Sequence, residues 1–213
     1  MSLTRVLVAL VGAGLAVSAC SAASDDGSGA DAGRSHDLTT VDGTSTPADR
    51  GGCGDEVDNA AAEASHVETG TEMSYDGVPP VSGAHWSQYP DLSKPVYSAD
   101  DRPQLGELIH SQEHGWTVVW YDDSITTSDG EMARLSKVAD DVAAADPVKV
   151  VFVPWTANDG AAFPDRAHIA ITHWGVSGGG SENRQFCAEP NAEAILAFVA
   201  RHPYTDSSEP DAP

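Results

Sequence analysis

Basic side chains are scarce. There are 11 Lys and Arg against 33 Asp and Glu, a formal net charge of -22. Such a chain repels phosphate backbones, which excludes nucleic acid as a partner. It also repels anionic lipid headgroups. Residues 53–203 alone hold 24 acidic and 8 basic residues, and the plainest reading of that excess is a solvated, highly soluble surface. Cysteine is nearly absent, with 3 in 213 residues, so this is not a disulfide-dense scaffold. The longest apolar run, Val6 to Val17, is too short for a stable membrane-spanning helix. Familiar catalytic signatures are missing too. Gly178-Gly179-Gly180 lacks the lysine and following helix of a phosphate loop. Val81-Ser82-Gly83 lacks the flanking glycine and strand of a nucleophile elbow. No internal repeat is present, and the balance leans against an enzyme.

What is present starts at the N-terminus. Arg5, the apolar run and then Val17-Ser18-Ala19-Cys20 resemble a bacterial lipobox, in which small residues precede a cysteine that becomes lipidated. Residues 1–20 are therefore expected to be a lipoprotein signal peptide. Cys20 is the lipidation site, carrying acyl chains such as palmitate, and the protein is expected on the extracytoplasmic face of the cell membrane. Each methylene buried in lipid contributes about 0.8 kcal/mol. Residues 21–52 are rich in Ser, Ala, Gly, Asp and Thr without an aromatic residue. They are expected to form a disordered acidic linker, with a reach of about 30 Å by random-coil scaling. Residues 204–213 read as a similar disordered tail. The remaining 53–203 span suffices for one domain with its own core. With Cys20 committed to lipid, Cys53 and Cys187 are left near the two ends of that domain and are expected to pair. In the chain-entropy account such a bridge stabilises by about 4–5 kcal/mol. The competing use is a thiolate joining a metal site.

Periodicity gives a coarse fold. Trp116 to Tyr121 reads as a strand, being β-branched and aromatic. Gly130 to Asp146 reads as a helix with Met132, Leu135, Val138, Ala139 and Val142 on one stripe, Asp129 as N-cap and Pro147 as stop. Val148 to Val153 is a nearly continuous apolar run and reads as a central strand. His168 to Trp174 reads as a further strand and Asn191 to His202 as a helix. Prolines 79, 80, 90, 95 and 103 exclude a long helix or central strand from 75–106. The expected fold is a single small α/β or α+β domain. It has a mixed sheet, helices mainly on one face and a proline-rich N-terminal loop half.

Two segments bring histidine into positions that look built for aim. In Pro79-Pro80-Val81-Ser82-Gly83-Ala84-His85, two fixed φ angles and a glycine precede His85. The alternative is an ordinary structural turn with a surface histidine. In His110-Ser111-Gln112-Glu113-His114-Gly115, a helix would put His110 and His114 one turn apart on the same face, an arrangement that can hold Zn or Cu. His110-x-x-Glu113-His114 also matches the pattern of inverted zinc peptidases. Gly115 and the strand behind it end the element too soon for that fold, so the peptidase is discounted. A structural pair that caps a helix is the other reading. His168 and His173 have opposite parity on their strand, and His202 ends a helix.

Taken in order, His66-Val67-Glu68-Thr69-Gly70-Thr71, Tyr75, Pro79 to His85, Ile109 to Gly115, Trp174-Gly175 and Cys187 resemble a bacterial domain-of-unknown-function family, numbered 3105. The resemblance covers about 53–203. The chain departs from the family pattern at Ala84, Gln112 and His173, where Pro, Leu and Ala are usual. The resemblance implies an extracytoplasmic, often membrane-anchored domain and no particular activity. It also groups His66 with His85, His110 and His114. Four histidines suit Zn(II), Cu(II) or Ni(II), and Met73 keeps Cu(I) open. Glu68 and Glu113 are candidates to support the rings.

Two functions follow. One is a membrane-anchored lipoprotein that binds Cu or Zn through His85, His110 and His114, with His66 as a fourth ligand. The other is a non-catalytic cell-surface interaction module whose histidines are structural.

Overall fold

The structure is a computed structural model that describes residues 52–145 and 148–213. The signal peptide, Cys20, nearly all of the linker and the helix stop at Pro147 lie outside the described residues. Among the described residues no helix is long and apolar enough to cross a membrane.

The domain is a mixed α+β fold. A five-stranded sheet is built from β1 (Val57–Ala60), β4 (Thr117–Tyr121), β5 (Val150–Pro154), β6 (Ile169–Gly175) and β7 (Ser181–Cys187), in the order β1-β7-β6-β4-β5. Only β4 and β5 run parallel; the other pairings in this sheet are antiparallel. A separate parallel pair, β2 (Ser65–Val67) and β3 (Ala84–Trp86), sits in the N-terminal half. The helices are α1 (Leu105–Glu113), α2 (Asp123–Thr126), α3 (Asp129–Ala143) and α4 (Ala192–Arg201).

Strand alternation sends apolar side chains to both faces. Val119 and Tyr121 of β4 and Ile169 and Ile171 of β6 meet Leu135, Val142, Ile195 and Phe198 of α3 and α4. Val118 and Trp120 of β4, Ala170 and Phe186 meet Leu108 of α1 on the other face, with Trp155 and Phe163 from loops. Helices therefore cover both faces. α3 and α4 lie on one, while α1 and the proline-rich loops form a third layer on the other. The stripe predicted for α3 packs as expected, but Ser128 is its N-cap, its hydroxyl accepting the Glu131 N–H at 3.4 Å. Ser128 takes the place expected for Asp129, which begins the helix.

Two expectations change, and one strand was not foreseen. β5 is an edge strand in the ladder, not a central one. It is apolar because the loop Pro95–Tyr97 seals its outer edge, with Phe152 N–H donating to Pro95 O and Tyr97 N–H to Phe152 O, both at 2.9 Å. β7 carries no apolar signal in sequence, yet it lies inside the sheet between β1 and β6. Its polar side chains hold loops in place: Arg184 donates to Pro79 O at 2.9 Å and Gln185 to Gly54 O at 2.9 Å. The disulfide Cys53–Cys187, which spans 134 positions, fastens the start of the domain beside β7 as expected.

The second change is at the end of the chain. Residues 204–213, expected as a disordered tail, fold back onto the C-terminal end of α1. Glu209 N–H and the Ser208 hydroxyl both donate to Glu113 O. The Lys149 ammonium, drawn below its ordinary pKa by burial, donates to the His114, Pro210 and Ala212 carbonyls. Few apolar groups take part, so composition reads as disorder where polar bonds impose order. Gly115 makes the approach possible. Its φ is +86°, and a Cβ there would lie 2.3 Å from Tyr204 O.

Two predictions follow from this packing. Gly115→Ala should cost roughly 2 kcal/mol or more, combining the left-handed backbone with displacement of 204–213. The check is chemical denaturation, alongside limited proteolysis at the tail. Unchanged stability and an uncut tail would contradict the packing described here. The second concerns His173, fully buried on β6, with Nε2 3.1 Å from Asp206 O and Nδ1 3.5 Å from Thr117 Oγ1. Burial lowers its pKa from 6.5 to about 4. The folded state therefore binds this proton less readily than the unfolded state. The contribution is intact above pH 6.5 and is lost as pH falls from 6.5 towards 4, by up to roughly 3 kcal/mol. Melting temperatures of the wild type and His173→Asn across that window should converge as pH drops. Parallel curves would refute the assignment.

Candidate metal centre

The site is assembled from three elements. β2 and β3 pair in parallel with His66 opposite His85, so both side chains leave the same side of the small sheet. α1 lies across β3 and adds His110 and Glu113. The helix can come this close because residue 106 is glycine, where a Cβ would lie 2.5 Å from Met73 Cε and 2.9 Å from Trp86 Cγ. Its start is set by a capping box: Gln104 and Glu107 satisfy each other's backbone N–H groups.

The aim of His85 is built as its sequence suggests. Gly83 adopts a φ of +115°, which only glycine takes without strain. The turn before it is pinned by Arg184 on Pro79 O and by the Ser82 hydroxyl donating to Glu182 at 2.6 Å. The Tyr75 hydroxyl, donating to Ala84 O at 2.7 Å, holds the other side. His85 is then fully buried, its ring edge-on to Trp174 at 5.9 Å.

His66, His85, His110 and Glu113 each offer one ligand atom, and all four atoms lie within 4.8 Å of one another. His66 Nε2 is 3.4 Å from His110 Nε2 and 3.5 Å from Glu113 Oε2, and His85 Nε2 is 2.9 Å from the same oxygen. Bonds of 2.0–2.1 Å to a tetrahedral ion place ligand atoms about 3.3 Å apart, so this group can hold a metal ion.

Tautomers favour the same end. His85 Nδ1 lies 2.8 Å from Gly83 O, and His110 Nδ1 lies 3.3 Å from Gln88 O. A carbonyl only accepts, so each Nδ1 carries a proton, and in the neutral ring each Nε2 presents its lone pair inward. His85 Nε2 and Glu113 Oε2 are buried and close, yet their angles make no hydrogen bond and both atoms are unsatisfied. Two such atoms facing each other in a buried site call for positive charge between them, supplied by a proton on His85, as an ion pair, or by a metal ion. Burial, and then the neighbouring His114 and His85 rings, hold the His110 imidazole below its ordinary pKa.

Of the four histidines singled out by sequence, the structure brings together three. His114 is the exception. On a helix, Glu113 lies about 60° to one side of His110 and His114 about 40° to the other. β2 and β3 lie on the Glu113 side. On the other side His114 stacks on Tyr89 at 4.7 Å and points Nε2 at Glu209, 3.2 Å away. Burial lowers its pKa as well. Glu113, expected only as a support for the rings, takes the place of the fourth histidine. Met73 sits beside Gly106 and Tyr75, its sulfur 3.4 Å from the Tyr75 hydroxyl oxygen. His168 meets Asp122 and Ser124 through the same atom, Nδ1, so these three do not form a relay of the Ser-His-Asp kind.

The sequence profile of the family described as "Protein of unknown function (DUF3105)" matches residues 66–213, well over half of the chain. The protein belongs to this family. The match begins at His66 and includes every residue of the cluster and the packed C-terminal segment. No curated protein and no solved structure matches the chain.

The close approach of α1 to β3 yields a prediction. Gly106→Ala should lift the helix from Trp86, pull His110 away from His85 and cost about 1–3 kcal/mol as overpacking. Thermal unfolding measures it, and a melting temperature equal to the wild type would show that the contact does not set the site.

Proposed function

We propose that this domain is a lipid-anchored, extracytoplasmic metal-binding module whose centre holds one divalent ion, Zn(II) or Cu(II), through His66, His85, His110 and Glu113. The observation that carries the reading is the buried, unbonded contact of His85 Nε2 with Glu113 Oε2 in a group of four converging ligand atoms. Three neutral imidazoles and one carboxylate leave a single negative charge around the ion. The carboxylate favours a borderline or hard divalent cation over Cu(I). The backbone carbonyls behind His85 and His110 are the support that metal-bound imidazoles ordinarily have. The lipobox at Cys20 and the disulfide Cys53–Cys187 fit an oxidising compartment outside the cytoplasmic membrane.

Titration of the untagged full chain with Zn(II) or Cu(II) tests the reading. One equivalent should bind, and metal at 100 times Kd should stabilise the fold by about 2.7 kcal/mol. His85→Ala and Glu113→Gln should abolish that gain, whereas His114→Ala should keep it. If micromolar metal does not bind, or if His85→Ala binds as tightly as the wild type, the centre is not a metal site. The histidines are then structural, as in an interaction module, and the same substitutions only lower thermal stability.

A further inference from the structure

Within the proposed centre the four ligands are not held alike. His85, His110 and Glu113 are buried, and each is fixed from behind. Gly83 O holds His85, Gln88 O holds His110, and Glu113 sits on α1 with its carbonyl engaged by the C-terminal segment. His66 differs on every count. Its side chain is 46% exposed. Its Nδ1 has no hydrogen-bond partner among the described residues. It rides on β2, a three-residue strand whose only ladder among the described residues is with β3.

We infer that His66 is the exchange ligand of the centre, through which the ion passes to and from an imidazole-bearing acceptor. The inference rests on the metal reading above and adds a direction and a mechanism of transfer. The bond from the ion to His66 Nε2 breaks and one to the incoming imidazole nitrogen forms. The ion keeps its charge and oxidation state, and two neutral rings trade places without moving a proton. A neutral donor is favoured because Glu113 already supplies an anionic ligand and residues 53–203 hold 24 acidic against 8 basic residues. A second anion would enter against that field. The three remaining ligands hold the ion while the fourth position changes hands, so it is never released to water.

Co(II) serves as probe, because its visible absorption reports coordination, with free imidazole standing in for the acceptor. In the full chain, His66→Ala should weaken Co(II) binding by about tenfold or more and speed its loss to a chelator. Millimolar imidazole should restore the wild-type spectrum. His85→Ala should lose the spectrum without rescue, since the vacated position is closed to solvent. His66→Gln with a wild-type melting temperature guards against misfolding. Failure of imidazole to rescue His66→Ala, equal rescue of His85→Ala, or wild-type Co(II) affinity in His66→Ala each overturns the exchange role while leaving a metal centre standing. If the wild type binds neither Co(II) nor Zn(II), the centre itself is overturned and the exchange role falls with it.

Discussion

The burial of α1 is the constraint on which the rest of this structure turns. From Gly106 to Glu113 every residue is buried, although five of them, Glu107, His110, Ser111, Gln112 and Glu113, are polar. Burying polar groups is unfavourable unless each finds a partner. Leu108 joins the main core against the sheet and Ile109 joins Val81 and Trp174, which holds the helix in place. The polar groups must then be answered by whatever covers the helix, and the proline-rich layer with β2 and β3 is that cover.

This explains why the loop layer is ordered without being regular. Pro80 O accepts from Gln112 at 3.3 Å, and Gln88 approaches both Glu107 and His110. Each irregular stretch supplies a carbonyl or amide where the helix has a polar atom. The sheet contributes from below through Arg184 and Glu182 of β7, which fasten the turn ahead of His85. Residues 204–213 close the far end by donating to the Glu113 carbonyl, while Lys149, which also bonds the Pro210 and Ala212 carbonyls, answers that of His114. After these pairings, Gln112 Oε1, His114 Nε2, His85 Nε2 and Glu113 Oε2 remain buried without hydrogen bonds, and the last two face each other at 2.9 Å. A metal ion at that point would complete the polar network, and His66 is the most exposed of the four residues around it.

The apolar elements were legible in the sequence because their side chains carry a period. β4, α3, β6 and α4 each present two faces or one stripe, and their positions hold to within a few residues. β7 was not legible. Ser181, Glu182, Asn183, Arg184 and Gln185 have no apolar alternation, since their work is to tether loops. The end of the chain was misread for the same reason, as a segment ordered by hydrogen bonds resembles, in composition, one that is not ordered at all. The site was half legible. Glycine and two prolines announced that His85 is aimed, and His110 followed from helical spacing. The choice between Glu113 and His114 turned on which side of α1 the small sheet occupies, and periodicity does not encode that.

Taken by itself, the sequence determined the acidic character, the core strands and helices, the pairing of Cys53 with Cys187 and the local conformation around His85. These follow from net charge, hydrophobic period, cysteine count and fixed backbone angles, all properties of short stretches or whole-chain sums. Only the tertiary structure decided that His66 and His85 stand side by side, that Glu113 joins them while His114, in ring contact with His110, turns its Nε2 to Glu209, and that three of the four candidate ligands are buried and one is half-exposed. Those are relations between residues up to 47 positions apart, from His66 to Glu113. They depend on how closely Gly106 lets one helix approach one strand, a distance set by packing in three dimensions.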